Sequence, residues 1–280
     1  MISTVTEIEI ANGIKDEFGA IYSRDGKRLL RGPNVISYRI KYGTNVICDD
    51  AFYESFHLQS IIIPDSVTII GNYAFSYCRN LIFIEMSNAI TYIGNACFTD
   101  CDKLKSIVIP QTVTHIGTNP FSGSGIHVIE NHSPYFISDG KALYSNQMHE
   151  LISFYGDCSG FLIPNSVNKI KENAFCYNES LQSIIIPTSV KSIETCAFFR
   201  CESLQFITIP SSVTSIGDSA FGLCNNLLLV VFSDTVTHIG SCVFYCCHNL
   251  ISIIIPRGTM DEFRRSLRDE YHKLEEKNLQ

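Results

Sequence analysis

Residues Leu58 to Asn80 read LQSIIIPDSVTIIGNYAFSYCRN, and the same pattern, LxxIxIPxSVxxIGxxAFxxCxx, starts again at Leu81, Leu104, Leu181, Leu204, Leu227 and Leu250. Phe52, Phe75, Phe98 and Phe121 are each 23 residues apart, and so are Phe175, Phe198, Phe221 and Phe244. A unit this short cannot bury its own apolar positions, so the period predicts stacked coils in which each Leu, Ile, Val and Phe lies on its counterparts above and below. LxxIxI alternates as a strand does. The Pro after it, as at Pro64, Pro110, Pro187, Pro210 and Pro256, ends the ladder because it has no N–H. Gly71, Gly94, Gly117, Gly217 and Gly240 are read as a tight bend, and AF as the start of a short helical turn. The expected fold is a right-handed repeat solenoid, mainly β with short helical turns, built on a parallel sheet.

Two repeat arrays flank an interruption of 54 residues between Phe121 and Phe175. Residues 142–175 echo residues 20–52, and both stretches are read as an inserted β-hairpin module. Asp25-Gly26 is the turn signal in the first, and Asp139-Gly140 stands just before the second. At the end, Thr259 with Glu262 forms a candidate capping box, and Phe263, Leu267, Tyr271 and Leu274 share one helical face, which predicts a capping helix. The chain is thus expected as one domain over 1–280. Its segments are a hairpin module at 1–57, a repeat array at 58–125, a second hairpin module at 126–180, a second array at 181–258 and a terminal helix at 259–280.

The 280 residues are 45% hydrophobic and carry a formal net charge of -7 without long blocks of one sign. No basic footprint is present for neutralising phosphates, which argues against nucleic acid. Nowhere do about 18 apolar residues run together, so no membrane insertion is expected. Met1 to Ile14 lacks a basic start and a continuous apolar run and does not read as a secretory signal, which leaves two expectations, a cytoplasmic location or an export segment missing from this sequence.

Twelve cysteines invite a disulfide or zinc reading. Cys78, Cys101, Cys201, Cys224 and Cys247 hold one repeat position, however, where Ser55, Ser124 and Asn178 substitute. That interchange points to a small hydrogen-bonding side chain in a buried turn, and in-register side chains run too parallel for good disulfides. Free thiols are expected, which suits a reducing compartment or an anaerobic habitat. The Cys242, Cys246, Cys247 and His248 cluster has no second ligand pair, so no metal is assigned. Gly156-Asp157-Cys158-Ser159-Gly160 reads as a GxCxG elbow of a hydrolase, but it precedes a repeat strand instead of following one. His115 and His238 share a repeat register, which suits a structural or solvent role. No catalytic residue and no cofactor is assigned.

The pattern LxxIxIPxSVxxIGxxAFxxC with intervening hairpin modules resembles the BspA-like (Treponema-type) leucine-rich repeat family over nearly the whole chain. The resemblance implies a noncatalytic protein-binding or cell-adhesion module, surface-bound or secreted, with a host matrix protein as its class of partner. An intracellular scaffold is the alternative, and a hydrolase using Cys158 a distant one. In LxxIxI the second, third and fifth residues point outward. From these columns Ile62, Phe83, Glu85, Lys105, Phe206, Leu229 and Val231 are the candidate contact residues. The turns around Arg24-Asp25-Gly26-Lys27 and Asp139-Gly140-Lys141 are further candidates.

Overall fold

The computed structural model describes residues 3–234, 236–267 and 271–277, and of Glu262, Ser266 and Tyr271 only the backbone. The chain is a β-solenoid that packs as two compact units, residues 1–146 and 147–280. In each unit a coil contributes to two parallel sheets. The LxxIxI strands form the front sheet: Ser37–Arg39 pairs with Ser60–Ile62 and Ser60–Ile62 with Phe83–Glu85. In the second unit Phe206–Ile209, Leu229–Phe232 and Ser252–Pro256 pair in the same way.

The other sheet lies at xxIG, a position where no strand is expected from the sequence. Two-residue strands stack there from Val46–Ile47 through Ile69–Ile70 and Tyr92–Ile93 to His115–Ile116. In the second unit they run from Lys169–Ile170 to His238–Ile239. The front sheet of the first unit is interrupted. Phe83–Glu85 has no ladder to Ser106–Ile109, which pairs instead with Val128–Asn131. The coil at this seam departs from the repeat, with Met86 and Ser87 in place of Ile and Pro. Its inward-pointing Ile84 and Met86 are only half-buried.

The expected helical turn at AFxxC is a run of tight turns. Residues such as Tyr73 and Tyr77 take left-handed φ of 54° and 60° and break any helix there. The intervening N–H groups bond outward to the next coil: Phe75 donates to the Cys97 carbonyl at 3.0 Å and Phe198 to the Ala220 carbonyl at 2.8 Å. A third backbone ladder therefore closes each coil. Its rings stack as the period predicts, with Phe175, Phe198 and Phe221 at centroid separations of 4.8 and 5.2 Å and all eight repeat phenylalanines no more than 1% exposed. Phe154, which the 23-residue spacing misses, stacks on Phe175 at 5.2 Å and extends the ladder.

The glycine before the turn has a different task from the one its sequence context suggests. At Gly71 a Cβ would lie 2.5 Å from the Asp49 amide nitrogen of the preceding coil, so these two coils touch backbone to backbone, whereas Cys48, Lys171 and Glu194 hold the same column in other coils. Beside it runs a relay of side-chain carbonyls: Asn72 N–H donates to Asp49 Oδ1, Asn95 N–H to Asn72 Oδ1 and Thr118 N–H to Asn95 Oδ1, at 2.8 to 2.9 Å. Each side chain holds the next coil in register.

Both turn signals sit in antiparallel pairs. Ile21–Tyr22 pairs with Arg28–Arg31 across Asp25-Gly26, and Phe136–Ser138 with Ala142–Ser145 across Asp139-Gly140. Gly26 and Gly140 have φ of 70° and 88°. A short helix, Glu7–Ala11, lies against the open first coil, where Val5 and Ile10 pack on Ile21, Leu30, Val46 and Cys48.

The far end differs from the expected long helix. Helix Met260–Ser266 buries Phe263, and Leu267 just after it is buried too, but the chain then forms a strand, Leu274–Lys277, parallel to Ser252–Pro256. Pairing satisfies backbone groups that a helix would leave open on the last strand. Thr259 makes no side-chain cap; its hydroxyl donates to the Pro256 carbonyl at 2.7 Å. Glu276 serves there instead, accepting from the Gly258 and Met260 N–H groups at 3.2 and 2.9 Å. The side chains of Glu262 and Tyr271 lie outside the described residues.

Candidate functional site

Alternation along the front strands separates two kinds of residue. In Ser106–Ile109 the burial runs exposed, buried, exposed, buried, and Phe206–Ile209 repeats it. The inward side chains build the core, and the outward ones stand mostly in solvent, with a few bonds between coils such as Ser60 Oγ to Ser37 Oγ at 2.8 Å.

Ile62, Phe83 and Glu85 come together on the first unit's front sheet, with Phe83 opposite Ser60 and Ile62 opposite Glu85. Phe83 is 52% exposed, Glu85 exposed and Ile62 half-buried. Lys105 lies beyond the seam, and its ammonium donates to the Asp102 carbonyl at 3.0 Å. It does not join that sheet. Phe206, Leu229 and Val231 fall in the other unit, Phe206 paired with Leu229 and Val231 flanked by Thr208 and Ile254. Six of the seven candidates therefore form two groups of three, and Lys105 stands apart. The most exposed aliphatic residues on these columns, Ile185 at 74% and Ile251 at 73%, were not among the candidates. Their signal was available: Ile251 follows the repeat Leu and Ile185 holds the fifth position, both outward by alternation.

The hairpin turns use their acids internally. Asp25 Oδ1 accepts from the Ser23 hydroxyl and the Lys27 N–H, and the Ser23 bond holds its carboxyl below the usual range. Asp139 Oδ1 accepts from the Lys141 and Ala142 N–H groups. These acids brace turns.

The cysteine column is a hydrogen-bond ladder. Cys78, Cys101, Cys201, Cys224 and Cys247 each donate a thiol proton to the phenylalanine carbonyl of the preceding coil, at 3.0 to 3.2 Å. Where Ser124 and Asn178 replace Cys the bonds differ: Ser124 Oγ donates to the Phe121 carbonyl of its own coil at 2.7 Å, and Asn178 Oδ1 accepts from the Ser180 N–H at 3.2 Å. All twelve thiols are free and eight are buried. Burial pushes Cys78 up to about 12 and Cys48 up to about 11, so thiolate is scarce at neutral pH. Native protein is thus expected to give at most four thiols to a soluble disulfide reagent, the exposed Cys242 first, and all twelve after unfolding. Selective, faster labelling of Cys158 would support the hydrolase reading.

Cys158 lies 3.5 Å from Asn178 Oδ1 and 3.4 Å from the Ser180 hydroxyl, and no base is hydrogen-bonded to it among these contacts. Cys247 is turned into the core while Cys242 is exposed, so these two cannot converge on a zinc. Among the described residues no group of three or more His, Cys, Asp or Glu could hold a metal ion, and no helix is long and apolar enough to cross a membrane. The exposed His115 stacks on the half-buried Tyr92 at 4.5 Å on the second sheet.

The sequence profile of the BspA type leucine-rich repeat region matches residues 27–147 and 153–268, with six copies. The chain belongs to the BspA-type leucine-rich repeat family. Solved structures of similar fold include a leucine-rich repeat protein from Eubacterium ventriosum, with TM-score 0.67 and 23% identity over 79% of this chain and 66% of that one. The pneumococcal vaccine antigen PcpA aligns with TM-score 0.59 and 19% identity over 84% and 70%. A leucine-rich repeat protein from Bacteroides ovatus aligns with TM-score 0.50 and 23% identity over 95% and 74%. No curated protein matches the sequence. The BspA-type repeat is as a rule a protein-interaction module.

Proposed function

We propose that this chain is a noncatalytic adhesion module that presents its front sheet and hairpin turns to a protein partner, of the host matrix class that the family resemblance suggests. The observation that carries this reading is the outward columns: Phe83, Ile185, Phe206 and Ile251 stand 50 to 74% exposed beside inward ladders that are buried. Large exposed side chains on a rigid scaffold are where interface energy concentrates. The vaccine antigen among the fold relatives is consistent with display outside the cell. The second reading, an intracellular scaffold, is favoured by the twelve free thiols, eight of them buried.

The test is binding of the intact chain to a panel of immobilised matrix glycoproteins. Phe83→Glu is expected to abolish capture of the bound glycoprotein while leaving the unfolding midpoint nearly unchanged, because the side chain faces solvent. Unfolding of this variant would show that Phe83 belongs to the core. A folded variant that still binds would move recognition to the hairpin turns, where Lys27→Glu and Lys141→Glu test it.

A further inference from the structure

We propose that the front sheet of residues 147–280 is covered by the same face of a second copy of this chain, related by a twofold axis. The proposal rests on the reading of the outward columns as interaction surface, and assigns one of the two groups of columns to self-association.

Charge distinguishes this face. In the coils that begin at Leu181, Leu204, Leu227 and Leu250, none of the second, third and fifth positions carries a charged residue. They hold aliphatic, aromatic, hydroxyl and amide side chains alone, in a chain that is 18% charged. The corresponding columns of the first unit include Arg39, Glu85, Lys105 and Glu130. Those charges require a partner of complementary pattern and would set like against like in a self-contact. The second unit's columns impose no such demand, so an identical face is an adequate complement. The nearest charges on the adjoining strand, Glu275 and Lys277, already pair with each other at 3.3 Å.

Area agrees with this occupant. Ile185, Phe206 and Ile251, exposed by 74, 50 and 73%, are joined by the half-buried Leu229, Val231 and Ile254. Together they leave on the order of 500 Å² of apolar surface per copy, the upper end of what an isolated monomer shows. The exposed Gln182, Gln205 and Thr208 extend the face toward the roughly 800 Å² per partner of a standard interface. The strands pair in register from Phe206 through Leu229 to Ser252. Two such sheets can pack face to face at about 10 Å, as sandwiches do. An isologous contact of this kind closes at two copies.

Sedimentation equilibrium of the intact chain through the micromolar range tests the proposal. The expected result is a monomer–dimer equilibrium that Phe206→Glu with Leu229→Glu weakens at least about a hundredfold, because each copy would bury unpaired carboxylates. Phe83→Glu is expected to leave the dimer intact, so loss of partner capture by that variant and loss of the dimer by the other report on separate surfaces. If the glutamate pair lowers the unfolding midpoint, Phe206→Thr with Leu229→Thr replaces it, with the same expected direction. A chain that stays monomeric at every concentration, a dimer unchanged in the folded double variant, or growth beyond two copies would each overturn the proposal.

Discussion

Phe198→Ala is expected to cost about 3–5 kcal/mol of unfolding free energy. The ring is fully buried and stacked nearly parallel between Phe175 and Phe221, with interplanar angles of 7° and 6°. Its removal opens a cavity inside a continuous ladder, where the flanking rings cannot close the gap because the backbone of each is held by the next coil. Phe175 N–H donates to the Ala197 carbonyl at 2.8 Å and Phe221 N–H to the Val243 carbonyl at 2.9 Å. Coils are stabilised through their neighbours, so the loss should also loosen the coils on either side. Against a total of about 5–15 kcal/mol for an ordinary domain this is a large fraction. Urea unfolding of the variant and the parent measures it. A loss below about 1 kcal/mol would show that the ring is not packed as described.

Gly217→Ala is the second large effect, and it separates two reasons for glycine. Its Cβ would lie 2.3 Å from the Thr195 amide nitrogen and 2.6 Å from the Glu194 carbonyl carbon, both backbone atoms of the preceding coil. Relief requires the coils to separate, which breaks the 2.8 Å bond from Gly217 N–H to the Ile193 carbonyl. The expected loss is about 3 kcal/mol. Gly140 is the control: its φ of 88° is strained for alanine, but nothing lies within 4 Å of the added Cβ. Gly140→Ala should cost about 1–2 kcal/mol, from conformation alone. Equal losses in a urea titration of the two variants would mean that coil contact is not what selects glycine at 217.

The outward face was readable in part. Alternation in LxxIxI placed Phe83 and Phe206 toward solvent, and each is half exposed. What alternation could not show is that Phe83 and Lys105 stand on opposite sides of a break in the sheet. The break follows from pairing between coils at one irregular repeat, around Met86 and Ser87, and has no signature in the outward columns themselves.

The sequence by itself determined the period, the inward ladders and the two turn signals, because side-chain polarity repeats at the spacing of the coil and records which way each residue points. The second sheet at xxIG, the turns in place of helix at AFxxC and the terminal strand at Leu274–Lys277 were decided by the tertiary structure alone. The reason is common to all three. A backbone N–H or C=O carries no side-chain label, and its partner is supplied by the adjoining coil, so these pairings exist only once coils are stacked. Gly71 shows the same division: its identity was legible, but the requirement behind it, contact with the backbone of Cys48 and Asp49, belongs to the stack.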